Sequence, residues 1–265
     1  MSPRLRVWLV VAAAAAAAVG IAVAVTVATR NDVSQPTSKP PPFVPDATAS
    51  PELAADVREA LRAWPAGTVR RLRILAARHP RSALVRLELG LALAFTGRQK
   101  DASLVWHESR RLQPDSPSAV HAADLLHPNT PPGLPPFVPS FVGARTPAQR
   151  HLLQGAAFQQ RLRPVSAERE FAAAARAAPN DPEALTAAAV GLYDKDRPAR
   201  AFSRLGPLAR RFPHSQTVRF HLGLLLIYFG DLQQARRELA SARAESPRGP
   251  LAKRAQELLR AIRKR

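Results

Sequence analysis

The chain has 265 residues, with 39 Lys and Arg against 20 Asp and Glu, a formal net charge of +19, and no cysteine. That balance points to anionic neighbours, and the missing cysteine excludes disulfides, thiol chemistry and a lipoprotein anchor. Hydrophobic residues make up 46% of the chain, enough for a folded core, and 26 prolines punctuate it.

The first element follows Arg4 and Arg6. Residues 7–29 carry no charge and are almost wholly Ala, Val, Ile and Leu. About 20 apolar residues cross the hydrocarbon core of a bilayer, so this stretch is long enough to span one. A cleaved secretory signal is the other reading, with Thr26-Val27-Ala28 a tolerable cleavage site. Its apolar region would exceed the usual ~7–15 residues, so the uncleaved anchor is the expectation. Arg4, Arg6 and the amino terminus outweigh Arg30 and Lys39, which Asp32 dilutes. The positive-inside bias then makes residues 1–30 a cytoplasmic terminus plus transmembrane helix and places residues 31–265 outside the membrane. Residues 31–48, rich in Ser, Thr and Pro, read as a disordered tether.

Helical signals begin at residue 49. Ser82 and Ser116 have the chemistry of N-caps, the latter with Pro117 at the first helical position. Small residues sit where helices would cross (Gly90, Ala102), and Trp106 fills the adjoining space. Trp64-Pro65 breaks the opening pair. This front array is expected over residues 49–127, as two helix pairs and a partial helix near 117–127.

Residues 128–146 hold Pro128, Pro131, Pro132, Pro135, Pro136 and Pro139, a density that forbids helix and favours extended chain. Within them Pro135-Pro136-Phe137-Val138-Pro139 repeats the letters of Pro41-Pro42-Phe43-Val44-Pro45. Two readings are open. Both segments are spacers of biased composition, or both dock, on the array itself or on a shared partner. A phenylalanine in a free linker is a liability, because it exposes apolar surface.

From residue 147 one pattern is written three times. Pro179, Pro213 and Pro247 lie 34 residues apart, and each closes the same series: Gly155, Ala167, Phe171; then Ala189, Ala201, Leu205; then Gly223, Ala235, Leu239. Asp181 and Ser215 are caps, with Pro182 after the first. At a constant offset of 133, Gly90, Ala102, Trp106 and Pro114 match Gly223, Ala235, Leu239 and Pro247, which points to an internal duplication. The rear array is expected as 148–181, 182–215 and 216–249. Residues 250–265 form a basic capping helix whose apolar face carries Leu251, Ala255, Leu258, Leu259 and Ile262.

A period of 34 with small crossing residues and a closing proline resembles the tetratricopeptide repeat over about two thirds of the chain. The resemblance implies an all-α solenoid of antiparallel helix pairs whose first helices line a concave, partner-binding groove. It implies groove positions at Leu84, Leu87, Leu91, Ala94 and Phe95 in front. Behind, it implies Gln149, Leu152, Gln159, Gln160, Glu183, Thr186, Val190, Tyr193 and Asp194, then Thr217, Phe220, Leu224, Ile227 and Tyr228. The binding set expected from these is Leu84, Leu87, Leu91, Phe95, Tyr193, Phe220, Leu224, Ile227 and Tyr228. The basic clamp with which the family grips a terminal carboxylate has no counterpart at these places. An apolar or amphipathic segment of a protein partner is therefore expected.

No catalytic, metal or cofactor pattern stands out. The seven histidines make no HExxH, glycines occur singly rather than in a phosphate loop, and neither GxSxG nor SxxK is present. The expectation is a non-catalytic, membrane-anchored scaffold with no cofactor, binding a protein or peptide. The alternative is an extracytoplasmic envelope protein whose basic surface grips anionic lipid or wall polymer. Cytochrome c maturation and envelope assembly enter only as analogies of fold. Nucleic acid is disfavoured for a domain held outside a membrane.

Overall fold

The computed structural model describes residues 39–263, with side chains to residue 262. The transmembrane segment expected over residues 7–29 lies outside the described residues. Among the described residues no helix is long and apolar enough to cross a membrane. They form twelve α-helices and no strand, an all-α arrangement of helical-repeat type. The described chain divides into two compact units, one ending at Gly133 and the other beginning at Leu134.

The front unit contains α1 (Pro51–Leu61), α2 (Thr68–Arg78), α3 (Ala83–Phe95), α4 (Gln99–Leu112) and α5 (Pro117–Leu126). Hydroxyl caps start three of them: Ser50, Ser82 and Ser116 accept from the amides of Leu53, Val85 and Ala119. Each satisfies an amide that the first helical turn leaves without an intrahelical partner. Helix α3 is apolar nearly all round and correspondingly buried; only Arg86 escapes. It packs against α2, α4 and α5, so burial here comes from helices on several sides rather than from one amphipathic stripe. Trp106 lies across Gly90, where an added Cβ would stand 2.2 Å from the indole nitrogen. That indole N–H donates to the Leu87 carbonyl at 3.3 Å.

The rear unit contains α6 (Pro147–Gln160), α7 (Pro164–Ala177), α8 (Pro182–Gly191), α9 (Ala199–Arg211), α10 (Gln216–Phe229), α11 (Leu232–Glu245) and α12 (Pro250–Arg263). Helices pair as α6/α7, α8/α9 and α10/α11, and α6, α8 and α10 also touch in succession to form one continuous face. The spacing rule has a direct steric cause. An added Cβ at Gly155 would come within 2.4 Å of Phe171, and one at Gly223 within 2.8 Å of Leu239. The small residue is the socket for the bulky residue sixteen positions on. Gly230 ends α10 in the left-handed region (φ 93°), with its N–H on the carbonyls of Leu226 and Ile227. Helix α12 buries Leu251, Ala255, Leu258 and Ile262 and turns Lys253, Arg254 and Arg260 outward.

Two stretches expected to be loose are seated instead. Residues 39–48 fall in the span read as disordered tether, yet Val44 and Asp46 are buried. Residues 134–141 are extended, as their prolines require, and Phe137 belongs to the core of the rear unit. The unit boundary therefore falls inside the proline-rich stretch, because its second half packs into the rear unit.

Candidate functional site

In each unit the face formed by the first helices of the pairs is covered by a PPFVP segment of the same unit. The spacer reading of these segments gives way to docking on the array, and the reason is hydrogen bonding. Proline has no N–H, so Pro135-Pro136-Phe137-Val138-Pro139-Ser140 offers only three amides. All three are satisfied, by side chains from three different helices. The amide of Phe137 donates to Gln159 Oε1 of α6 at 2.7 Å. That of Val138 donates to His221 Nε2 of α10 at 2.9 Å. That of Ser140 donates to Glu183 Oε1 of α8 at 2.6 Å, and the serine hydroxyl adds a bond to Oε2 at 2.7 Å. Two carbonyls are met as well. Gln159 Nε2 donates to Pro135 O at 3.3 Å and Tyr228 Oη to Leu134 O at 3.0 Å. One glutamine thus reads both a donor and an acceptor of the segment, as its amide allows.

The Phe137 ring supplies the apolar anchor. It stacks on the His221 imidazole with centroids 4.9 Å apart and an 18° tilt, and meets Phe171 edge-on at 5.3 Å. His221 is fully enclosed. Its Nδ1 lies 2.8 Å from the Thr217 carbonyl, which can only accept, so Nδ1 carries the proton and Nε2 is free to accept from Val138. Burial pushes the imidazole pKa down to about 4, against the opposing pull of the Thr217 bond. The ring is neutral at pH 7. Burial also raises the Glu183 carboxyl, and the two bonds from Ser140 oppose that shift.

The front unit repeats the device with different letters. The Val44 amide donates to Glu88 Oε1 of α3 at 2.7 Å. Asp46 Oδ2 accepts from the amide and hydroxyl of Ser118 on α5, at 3.1 and 2.5 Å. Arg58 of α1 lies over the Phe43 ring, 4.5 Å from its centroid. Burial pushes Glu88 up to about 8, outweighing the Val44 bond, and its Oε2 is buried without a partner.

The nine expected binding residues are brought together as two buried sets. Leu84, Leu87, Leu91 and Phe95 lie in the front core, and Tyr193, Phe220, Leu224, Ile227 and Tyr228 in the rear core. Of these, Tyr228 bonds the proline segment directly, and Tyr193 meets Tyr228 edge-on at 5.7 Å. None is open to a partner while the segments are seated. Of the wider polar set, Gln159 and Glu183 hold the segment, whereas Gln149 is spent on the capping box of α6. Three residues that matter most, Glu88, His221 and Ser118, were absent from the expected set. Two were within reach of the sequence. Glu88 is the only acid in α3, and the offset of 133 that relates the arrays carries it onto His221. Both stand two positions before the crossing glycine, Gly90 or Gly223. The segments themselves lie 94 residues apart, so they do not follow the duplication; of the residues that hold them, Glu88 and His221 do, whereas Ser118 and Glu183 do not.

Among the described residues no group of His, Asp and Glu is placed to hold a metal ion. The chain matches no protein-family profile and no curated protein.

Proposed function

We propose that this protein is a non-catalytic, membrane-anchored scaffold of tetratricopeptide-repeat type, held by residues 7–29, that binds an extended segment of a protein partner in the faces now covered by its own proline-rich strands. One observation carries this reading. The rear face presents Gln159, Glu183, His221 and Tyr228, drawn from α6, α8 and α10, to the backbone of an extended chain, which is how a peptide site is built rather than how a helical core is closed. A photoreactive residue in place of Tyr228, in the native membrane, is the test. Crosslinks to a discrete second protein, beside crosslinks to the chain's own Leu134 region, are expected. Crosslinks to its own chain alone, under every growth condition, would remove the reading.

A second reading draws on the surface charge. Arg70, Arg71, Arg73, Arg78 and Arg81 are all exposed on or just after α2, and Lys253, Arg254 and Arg260 on α12. Such a surface would attract anionic lipid or wall polymer at about 1 kcal/mol per basic residue close to a membrane. Binding of that kind weakens steeply with salt, because charges beyond about 8–10 Å are screened, whereas groove binding is far less sensitive.

A further inference from the structure

The rear segment is held like a ligand that happens to be covalently attached. The polar contacts of residues 134–138 fall on its backbone, so any chain with the same proline spacing could make them. Two side chains make the most specific contacts, Phe137, packed between His221 and Phe171, and Ser140, whose hydroxyl meets Glu183, while Leu134, Val138 and Phe141 rest half-buried against the same core. The connection to α6 runs through residues 142–146, which are exposed, and Val142 is 99% so. The tether raises the local concentration of the segment but adds no buried contact at that end.

Comparing the two units separates what is shared from what is selective. Both accept the valine amide at the position two before the crossing glycine, on Glu88 or His221. They differ at the sixth residue. Ser118 and Glu183 are each the second residue of a helix that opens with proline, but Ser118 donates to Asp46 whereas Glu183 accepts from Ser140. An aspartate at the sixth place of the rear segment would face the Glu183 carboxylate and lose the hydroxyl's bond. A serine there is matched.

We propose that the rear groove is a binding site for an extended Pro-Pro-Phe-Val-Pro-Ser or -Thr sequence carried by another protein. Residues 135–140 are its resident competitor, and Glu183 is the residue that selects a hydroxyl over a carboxylate at the sixth place. The proposal rests on the scaffold reading and narrows it to a sequence. A flexible tether places the resident segment at roughly millimolar effective concentration, so a free peptide succeeds only when the resident is weakened or the tether cut.

Two preparations of the full chain test it. In one, a protease site inserted after Val142 is cleaved. In the other, Phe137→Ala with Val138→Pro removes the ring and one of the three amides from the resident. The probe is a fluorescent peptide with the sequence of residues 133–142, followed by anisotropy, with helical content checked by circular dichroism. Saturable binding to both preparations, and none to the intact wild-type chain at the same concentration, is expected. A peptide with Asp in place of Ser140 should bind at least about tenfold more weakly, the equivalent of roughly 1.4 kcal/mol. Glu183→Gln should shrink that gap. Failure of the peptide to bind either preparation overturns the proposal, as does equal binding of the Ser and Asp peptides. Exchange of the segment between copies, seen as concentration-dependent dimers of the intact chain, would overturn the assignment to another protein. A partner captured at Tyr228 in cells, with no peptide binding, would sink this sequence assignment and leave the scaffold reading standing.

Discussion

Acid should unseat residues 134–140 before it melts the helices behind them. His221 is neutral in the closed groove, with a pKa near 4, and would titrate near 6.5 once the segment leaves and water enters. The folded pKa is depressed and the group is a base, so its contribution is complete above pH 6.5 and is lost as pH falls toward 4. At pH 4.5 the difference amounts to roughly 2.5 kcal/mol, close to a hundredfold in the opening equilibrium. Geometry adds to this, because imidazolium carries a proton on Nε2 where the Val138 amide already points. Opening the segment rehydrates His221 without dismantling α6–α12, so the segment takes the whole penalty first. The assay is hydrogen exchange at the Val138 amide, normalised to an unstructured peptide at each pH. Protection should fall by about two orders of magnitude between pH 7 and 4.5, with helical content unchanged. His221→Phe keeps an aromatic stack for Phe137 but has neither the proton nor the acceptor. Its protection should be low at pH 7 and flat with pH. An acid loss of the same size in His221→Phe, or none in the wild type, would refute the argument.

Glu88 behaves in the opposite sense. Its folded pKa of about 8 lies above the usual 4.5, so its contribution is complete below pH 4.5 and erodes as pH rises toward 8. Glu88→Gln, which keeps an acceptor for Val44, should flatten that decline and stabilise the front unit at pH 8 by up to roughly 4 kcal/mol. Trp64 and Trp106 both lie in that unit, so denaturant titration by tryptophan fluorescence in a Trp8→Phe background measures it. Gly155→Ala, forced against Phe171, should cost about 1–3 kcal/mol in denaturant unfolding. Gly206→Ala meets nothing within 4 Å beyond its chain neighbours, but its new Cβ would crowd the ring of Pro207 inside α9, so the usual helix gain of about 0.5–1 kcal/mol over glycine should be absent. Phe137→Ala removes a buried ring of a kind usually worth about 3–5 kcal/mol, more than a short docked strand can hold. Release of the segment, read as lost protection at Val138 with unchanged circular dichroism, is therefore expected in place of global unfolding.

The helices, their pairing and their sockets are legible in the order of residues alone. Caps at Ser82, Ser116, Asp181 and Ser215 act within a few residues, and the register of Gly90 with Trp106, or Gly155 with Phe171, is a local steric rule repeated at fixed spacing. The resemblance to the tetratricopeptide repeat is what places apolar residues such as Leu84, Leu91, Phe220 and Ile227 on the inner face of the first helices. The covering of those faces comes from long-range packing. Val138 meets His221 across 83 residues, and Asp46 meets Ser118 across 72. No local propensity records such a pairing, and a proline-rich strand has no internal hydrogen bonds to betray its fate. The same five letters can be spacer or ligand according to whether three amides find acceptors. Here Gln159, His221 and Glu183 stand where those amides fall, and only the packing of α6, α8 and α10 brings the three together.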